Sequence, residues 1–460
     1  MADDSDKIPT SRFIRTARIG RLAASQAVRN ASTKTANLAR TPDGRRAAAE
    51  RRNLEAAEQI VAALGTMKGA AMKVGQVLSV LDAGIVPPEF QDEFQAKLAA
   101  LRDSAPKVSF AQMQKVIESE LDERISAVFA DFDPEPIAAA SIGQVYRATL
   151  AENGRDVAVK VQYPGVDAAV RADMKNLGMI LRLAKRIAPG LDAQAMAQEV
   201  SERILEELDY ELEAGNQRTL ARLYRDHPFI VIPEVVTDLC RSRVMVSEFV
   251  AGTGFEELKT RSQEERNRVG EILFRFYFGS LYRHGRFSGD PHPGNSLELP
   301  DGRVAFFDFG LFKTMPAAAL ELEKATIRAI IEGDTETIMQ MGLKVGFFSD
   351  PERFDPERIL GQFRAASHWY TVDADLTVTR ELVTQVVIDM GDPRSEYFSE
   401  MRHENAPPDH IFGRRMEVMC LAVLSQIKAQ NNFHRIAREW FYADSPATEL
   451  GRLEAEYYGT

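Results

Sequence analysis

One stretch constrains the chain more than any other: FSGDPHPGNSLELPDGRVAFFDFG, residues 287 to 310, which puts Asp290, Asn295 and Asp308 on a single short segment. Phosphoryl transfer from a nucleotide asks for a carboxylate at the attacking hydroxyl and oxygen ligands for Mg²⁺, because the reaction is mostly positioning and charge neutralisation. Asp290 and Asn295 have the D-x-x-x-x-N spacing of a kinase catalytic loop, and Asp308-Phe309-Gly310 spells a magnesium-binding DFG. A lone DFG arises by chance, and acidic loop residues beside a β-hairpin would account for it. The reading therefore needs the other parts of a nucleotide site elsewhere in the chain.

At 460 residues the chain is too long for one hydrophobic core, so two or three packed units are expected. The net charge of -11 argues against nucleic-acid binding by the chain as a whole. That average hides an asymmetry, since residues 1–53 hold twelve Lys and Arg against five Asp and Glu, a local +7 that leaves -18 for the remainder. The basic stretch reads either as a helix lying on an anionic membrane or as a solvated tail, because its arginines drift around the helical wheel. Cys240 and Cys420 are far apart and lack metal-ligand spacing, which points to neither a disulfide framework nor a structural zinc site and fits a reducing compartment. No secretory h-region and no apolar run near the roughly 18 residues of a membrane span is visible.

Residues 54–107 read as helices broken at Pro87-Pro88, with Lys73 and Gln76 on one face and Gly75 permitting close approach. A helix is expected over 110–129, then a loop at Phe132-Asp133-Pro134. Val145 and Arg147, then Val157, Val159 and Val161, flank Asn153-Gly154 as a two-stranded hairpin. The hairpin ends in Val-Ala-Val-Lys160, whose lysine can grip the α- and β-phosphates of a nucleotide. An acidic helical stretch follows over 168–223; a kinase needs one of its glutamates to hold Lys160, and the pattern does not single one out. Strands are expected over 230–235 and 243–250, the second leading into a hinge at Glu248 and Val250 beside an adenine pocket, with Ser247 as gatekeeper. Helices then run to Arg283 and from the DFG to Tyr442. His292, in Pro-His-Pro-Gly, reads as a loop-stabilising side chain rather than a catalytic one.

Taken together these pieces resemble the AarF/UbiB family of atypical protein-kinase-like proteins over about residues 53–442. Lys73-Val74-Gly75-Gln76 matches its K-x-G-Q motif, and Ala138-Ala139-Ala140-Ser141-Ile142-Gly143 matches the alanine-rich loop that replaces a kinase glycine loop. Glu207-Leu208-Asp209 matches its E-x-D motif, followed by the family-like Glu213-Ala214-Gly215-Asn216, and Asp290 to Asn295 with Asp308-Phe309-Gly310 matches the catalytic and metal motifs.

The resemblance implies an α+β, bilobal protein-kinase-like fold with an N-terminal helical extension packed across the active site, Lys73 pointing toward Glu207, Asp209 and the nucleotide. The implied organisation is a basic tail (1–53), a helical extension (54–107), an N-lobe (108–247), a helical C-lobe (248–442) and a tail (443–460). ATP and Mg²⁺ are the implied cofactors. Lys160, the alanine loop and the hinge would bind ATP, Asn295 and Asp308 would hold Mg²⁺, and Asp290 with Lys73 would be catalytic. The implied activity is an ATPase or a small-molecule or lipid-precursor kinase linked to quinone or isoprenoid-lipid metabolism; the alternatives are a protein kinase proper and a nucleotide-binding regulatory scaffold. Ser288-Gly289 departs from the His-Arg of protein kinases, and the absence of a transmembrane segment departs from many UbiB-like members. The expected location is cytoplasmic, with peripheral membrane contact through the basic N-terminus left open.

Overall fold

The computed structural model describes residues 108–140, 142–172, 205, 208–348, 350–391, 394–401, 403–405 and 408–459. The basic stretch, the helices expected over 54–107 with Lys73 and Gln76, Ser141, and Glu207 lie outside these residues. The chain divides into two compact units, the first made of residues up to Leu212 together with Val236–Glu248, the second of Glu213–Val235 and Phe249 onward.

In the first unit, α1 (Phe110–Leu121) begins with a capping box between Ser109 and Gln112 and buries Met113, Val116, Ile117 and Leu121. It stops short of the expected 129 because Asp122 takes a left-handed conformation, φ 55°. Asp tolerates that region better than most residues and ends a helix there. A single turn at Ile125–Val128 leads into β1 (Phe129–Phe132), followed by β2 (Ala138–Ala139), β3 (Gly143–Leu150) and β4 (Asp156–Gln162). Beyond them lie α2 (Tyr210–Leu223), within which the two units meet in sequence, β5 (Ile230–Val231), which belongs to the second unit, and β6 (Val244–Glu248) of the first. The strands β1, β3, β4 and β6 lie side by side in that order, β2 also pairing with β3, all antiparallel. The hairpin expected around Asn153-Gly154 is β3–β4, and Gly154 supplies the positive φ of its turn, 69°. Period-two alternation buries Val157, Val159 and Val161, and α1 packs on β4 and β6.

The second unit is built around α3 (Gln263–His284). A Ser262/Glu265 capping box starts it and left-handed Gly285, φ 62°, ends it. Every residue from Val269 to Tyr282 is buried, so this helix is surrounded by protein over four turns rather than amphipathic. After it come β7 (Arg286–Ser288), β8 (Ser296–Glu298), β9 (Val304–Phe306) and β10 (Phe312–Thr314). The helices α4 (Ala317–Glu332), α5 (Thr335–Lys344), α6 (Pro356–Thr371), α7 (Arg380–Gly391), α8 (Pro408–Gln426) and α9 (Phe433–Phe441) follow. Phe274 and Phe278 of α3 meet Trp369, and Phe274 also meets Phe433 and Trp440, in an aromatic core. Phe276 stacks on Phe306 with ring centroids 3.7 Å apart, which fixes β9 against α3. The stretch after Tyr442 holds α10 (Glu449–Tyr458). Among the described residues no helix is long and apolar enough to cross a membrane.

One charge is buried at the centre of this unit. Arg275 of α3 has no exposed surface and binds Glu271 at 2.7 Å, Glu439 of α9 at 2.8 Å and Glu454 of α10 at 2.9 Å. It therefore ties three helices to one point. Arg275→Met leaves three carboxylates without their cation, and removing one partner of a buried ion pair costs about 3–5 kcal/mol. Urea unfolding should show that loss, and a midpoint equal to that of the parent chain would disprove the anchoring role.

A buried and a half-buried imidazole, His227 and His284, flank the same helix end. His284 bonds Tyr458 at 3.0 Å, and burial pushes its pKa down to about 4; His227, near Glu454, is also lowered by burial. An unfolded histidine takes up a proton near pH 6.5, whereas the folded His284 does so only near pH 4. Their contribution is therefore complete above about pH 6.5 and is lost as pH falls toward 4. Thermal midpoints should fall between pH 7 and pH 5, and His284→Gln should flatten that dependence; the same slope in the variant would rule out His284 as a source.

Candidate active site

Two strand closures build the 287–310 segment into a site within the second unit. Beyond Gly285, β7 pairs antiparallel with β10, Ser288 opposite Phe312, and Gly289 N–H donates to Leu311 O at 2.8 Å. Further in, β8 and β9 form a hairpin with Ser296 opposite Phe306, and Phe307 N–H donates to Asn295 O at 2.9 Å. β9 is also held on its other side by parallel pairing to β5. The loop carrying Asp290 and the loop carrying Asp308 are thus gripped at both ends by the same pair of strand contacts. Gly289 suits its place, since a Cβ there would come within 3.2 Å of Leu311 Cδ2.

Within that frame each side chain has a distinct support. Asn295 Nδ2 donates to Asp290 O at 3.2 Å, which leaves its amide oxygen as the atom able to bind a metal. The loop-stabilising bond expected of His292 is present, its Nδ1 accepting from Gly294 N–H at 3.0 Å. Asp308 has φ 60°, a left-handed conformation that costs a non-glycine residue energy and gathers at functional sites. Phe309 is fully buried in the core, so the residue after Asp308 anchors it. Asp308 and Asn295 are the residues that could hold Mg²⁺, through one carboxylate and one amide oxygen. That fits an ion that keeps several waters and takes its remaining ligands from substrate phosphates.

Three further residues reach this loop from distant helices. Asn216 of α2 donates from Nδ2 to Phe309 O at 3.0 Å, giving the Glu213 to Asn216 stretch a role in holding the DFG backbone. Tyr277 of α3, buried beneath the loop, hydrogen-bonds the His292 backbone; burial and the nearby Cys420, Asp290 and Asp308 drive its phenol pKa far above the usual value. Arg415 of α8 donates from Nη2 to Asp290 Oδ1 at 3.2 Å. Asn216 adjoins a motif visible in the sequence. Tyr277 and Arg415 have no spacing relation that could have singled them out.

In the first unit, Lys160 lies on β4 between Val145 of β3 and Met245 of β6, its ammonium 5.0 Å from the centre of the Tyr210 ring. Ala138 and Ala139 form β2, and Ala140 N–H donates to Gly143 O at 2.8 Å, so the alanine stretch folds directly back on β3. A Cβ at Gly143 would collide with Val161 O. Gln162 Nε2 donates to Leu208 O at 2.8 Å and to Ser242 O at 3.1 Å, tethering the E-x-D stretch to the sheet. Asp209 Oδ1 accepts from Glu211 N–H at 3.0 Å and Leu212 N–H at 3.3 Å, so this carboxylate caps α2. Ser247 and Glu248 close β6 opposite Ala158 and Val157, and Val250 follows in irregular chain.

Comparison with known proteins places this geometry in a family context. The ABC1 atypical kinase-like domain matches residues 100–342. The mitochondrial atypical kinase COQ8B of Rattus norvegicus is 33% identical over 333 residues, 70% of this chain and 62% of the rat protein. The mitochondrial atypical kinase coq-8 of Caenorhabditis elegans is 26% identical over 406 residues, 84% of this chain and 52% of that protein. The chain thus spans less than two thirds of the length of these curated relatives. Among solved structures, the complex of Rv3197 with erythromycin from Mycobacterium tuberculosis is similar with a TM-score of 0.62 at 32% identity, covering 84% of this chain and 95% of that one.

The Asn216 contact has a measurable consequence. Asn216→Ala leaves the Phe309 carbonyl without this donor, and an unmet buried acceptor costs about 1–3 kcal/mol. Chemical denaturation should show a loss of that size; a change under about 0.5 kcal/mol, the ordinary range for surface substitutions, would mean the bond does not hold the DFG backbone.

Proposed function

The chain belongs to the ABC1 atypical kinase-like family, which includes the COQ8 and AarF-domain kinases of the UbiB group, and on that premise we propose that it is a Mg²⁺-dependent, ATP-using enzyme. In this reading it acts as an ATPase or as a small-molecule or lipid-precursor kinase in quinone or isoprenoid-lipid metabolism. The proposed architecture is bilobal, with the 54–107 helices covering the groove and Lys73 and Gln76 directed toward Glu207 and Asp209. The observation that carries the proposal is the doubly closed loop pair presenting Asp290, Asn295 and left-handed Asp308.

Each residue then has a role its surroundings support. Asp290 orients the attacking oxygen, a task for which a carboxylate need not be strongly basic because the transition state is loose. Asn295 and Asp308 hold Mg²⁺, which supplies neutralisation of phosphate charge when bound. Lys160 holds the nucleotide phosphates from the middle of a five-stranded sheet. Ala138, Ala139, Ala140, Ser141 and Gly143 cover the nucleotide, and Ser247, Glu248 and Val250 border the adenine. The basic stretch 1–53 gives peripheral contact with an anionic membrane.

Purified protein should release ADP from ATP only with Mg²⁺ present. Asp308→Asn should reduce that turnover at least about 100-fold, the scale on which loss of one electrostatic contact to the transition state is felt. Undiminished turnover by Asp308→Asn would refute the metal role. A candidate quinone or isoprenoid-lipid precursor should stimulate ADP release, whereas transfer of labelled phosphate to a second protein would favour a protein kinase instead.

A further inference from the structure

Asp290 has lost the neighbour that a protein-kinase loop would give it, because Gly289 stands where an arginine would. The packing explains why: a Cβ at 289 would press on Leu311, the residue after the DFG. A cation nevertheless reaches Asp290, from a helix 125 residues further along the chain. Arg415 Nη2 lies 3.2 Å from Asp290 Oδ1, with only 14% of the arginine side chain and 12% of the aspartate side chain exposed.

The surroundings of Arg415 set it apart from an incidental ion pair. Its neighbour Arg414 is spent inside the unit, on Glu323 of α4 at 2.7 Å and on Glu417 at 2.9 Å, and Tyr282 of α3 also donates to Glu417 at 3.2 Å. Adjacent residues on a helix point about 100° apart. The Arg414 network thus fixes the rotation of α8 that turns Arg415 toward the loop. The Arg415 guanidinium also has a buried Nε that finds no hydrogen-bond partner among the described residues. Nε and Nη2 form one edge of the planar fork, the edge that grips a carboxylate with two parallel bonds. One prong of that edge is on Asp290.

We propose that Arg415 is the positioning residue for Asp290: from α8 it fixes the orientation of the carboxylate without a phosphorylated activation segment, through the Nη2 bond already made in this structure. The inference rests on the assignment of Asp290 as the carboxylate that orients the attacking oxygen. Without Arg415 the Asp290 carboxylate is freer to swing about its Cβ–Cγ bond, and misplacement by about 1 Å can cost on the order of 100-fold in rate. Arg415 acts through Asp290, so it should govern turnover rather than nucleotide affinity.

The experiment compares Asp290→Asn, Arg415→Met and Arg415→Lys in the full chain, by steady-state ADP release, by binding of a fluorescent ATP analogue with Mg²⁺, and by thermal midpoint. Arg415→Met should lower kcat by about 30- to 100-fold while the Kd for the analogue stays within about two-fold and the midpoint stays within a few degrees. Arg415→Lys, which restores the charge but not the fork, should recover part of the lost kcat. Should Arg415→Met fold poorly, the lysine variant carries the test, since it keeps the cation and must still turn over more slowly than the parent chain. Unchanged kcat in both Arg415 variants, with Asp290→Asn inactive, overturns the inference and leaves the proposed function standing. Parallel losses of kcat, affinity and midpoint in both variants also overturn it, as they mark a purely structural contact. Full activity in Asp290→Asn refutes the proposed role of Asp290 and the inference with it.

Discussion

The pairing of β7 with β10, set against the β8–β9 hairpin, is the constraint on which the rest of the candidate site depends. Asp290 and Asp308 lie eighteen positions apart, a separation a free chain would sample widely. Closing the segment at Ser288/Phe312 and again at Ser296/Phe306 removes that freedom before any ligand arrives. Backbone bonds do this work. The cost appears locally, in the left-handed backbone of Asp308. The buried Phe309 side chain and the Asn216 bond to its carbonyl offset that cost by holding the next residue in place.

The closures would mean little on a yielding base, and α3 supplies a stiff one. Its side chains are buried on all faces through Tyr282, so it cannot rotate or slide without disturbing the aromatic core on one side and Phe306 on the other. Tyr277, one residue along from the Phe276 that stacks on β9, meets the loop itself through the His292 backbone. The same helix carries Arg275, whose three carboxylate partners fix α9 and α10. One element thus links the far end of the chain to the loop that the sequence marks most clearly.

How much of this was legible before the structure depends on the range of the interaction. The β3–β4 hairpin showed in Asn153-Gly154 and the alternating valines, because turn chemistry and period-two burial are local. The D-x-x-x-x-N and DFG spacings showed for the same reason. Arg415 and Tyr277 left no mark: an arginine beside an arginine on a helix reads as surface charge, and a tyrosine among phenylalanines reads as core. Their roles come from which way α8 and α3 are rotated, and that is decided by packing over the whole unit. The helix expected over 110–129 ends instead at Leu121, since nothing in Leu-Asp-Glu-Arg announces the left-handed turn at Asp122. The β1 strand that follows is held by pairing to β3, whose partner residues lie sixteen or more positions away.

The alanine stretch illustrates how a motif's chemistry can be sharpened by its backbone. Glycines in a phosphate-covering loop are needed where the chain turns through positive φ or approaches a neighbour more closely than a Cβ allows. Ala138 and Ala139 meet neither condition, for they lie extended in β2 against Val145 and Gln144. Gly143 meets the second, because Val161 O occupies the space a Cβ would fill. The one glycine kept in the stretch is therefore the one the sheet itself requires, and alanine is tolerated where the chain is merely a strand. This pairs Ala138 and Ala139 to β3 by ladder bonds that a glycine-rich loop would not have needed to make.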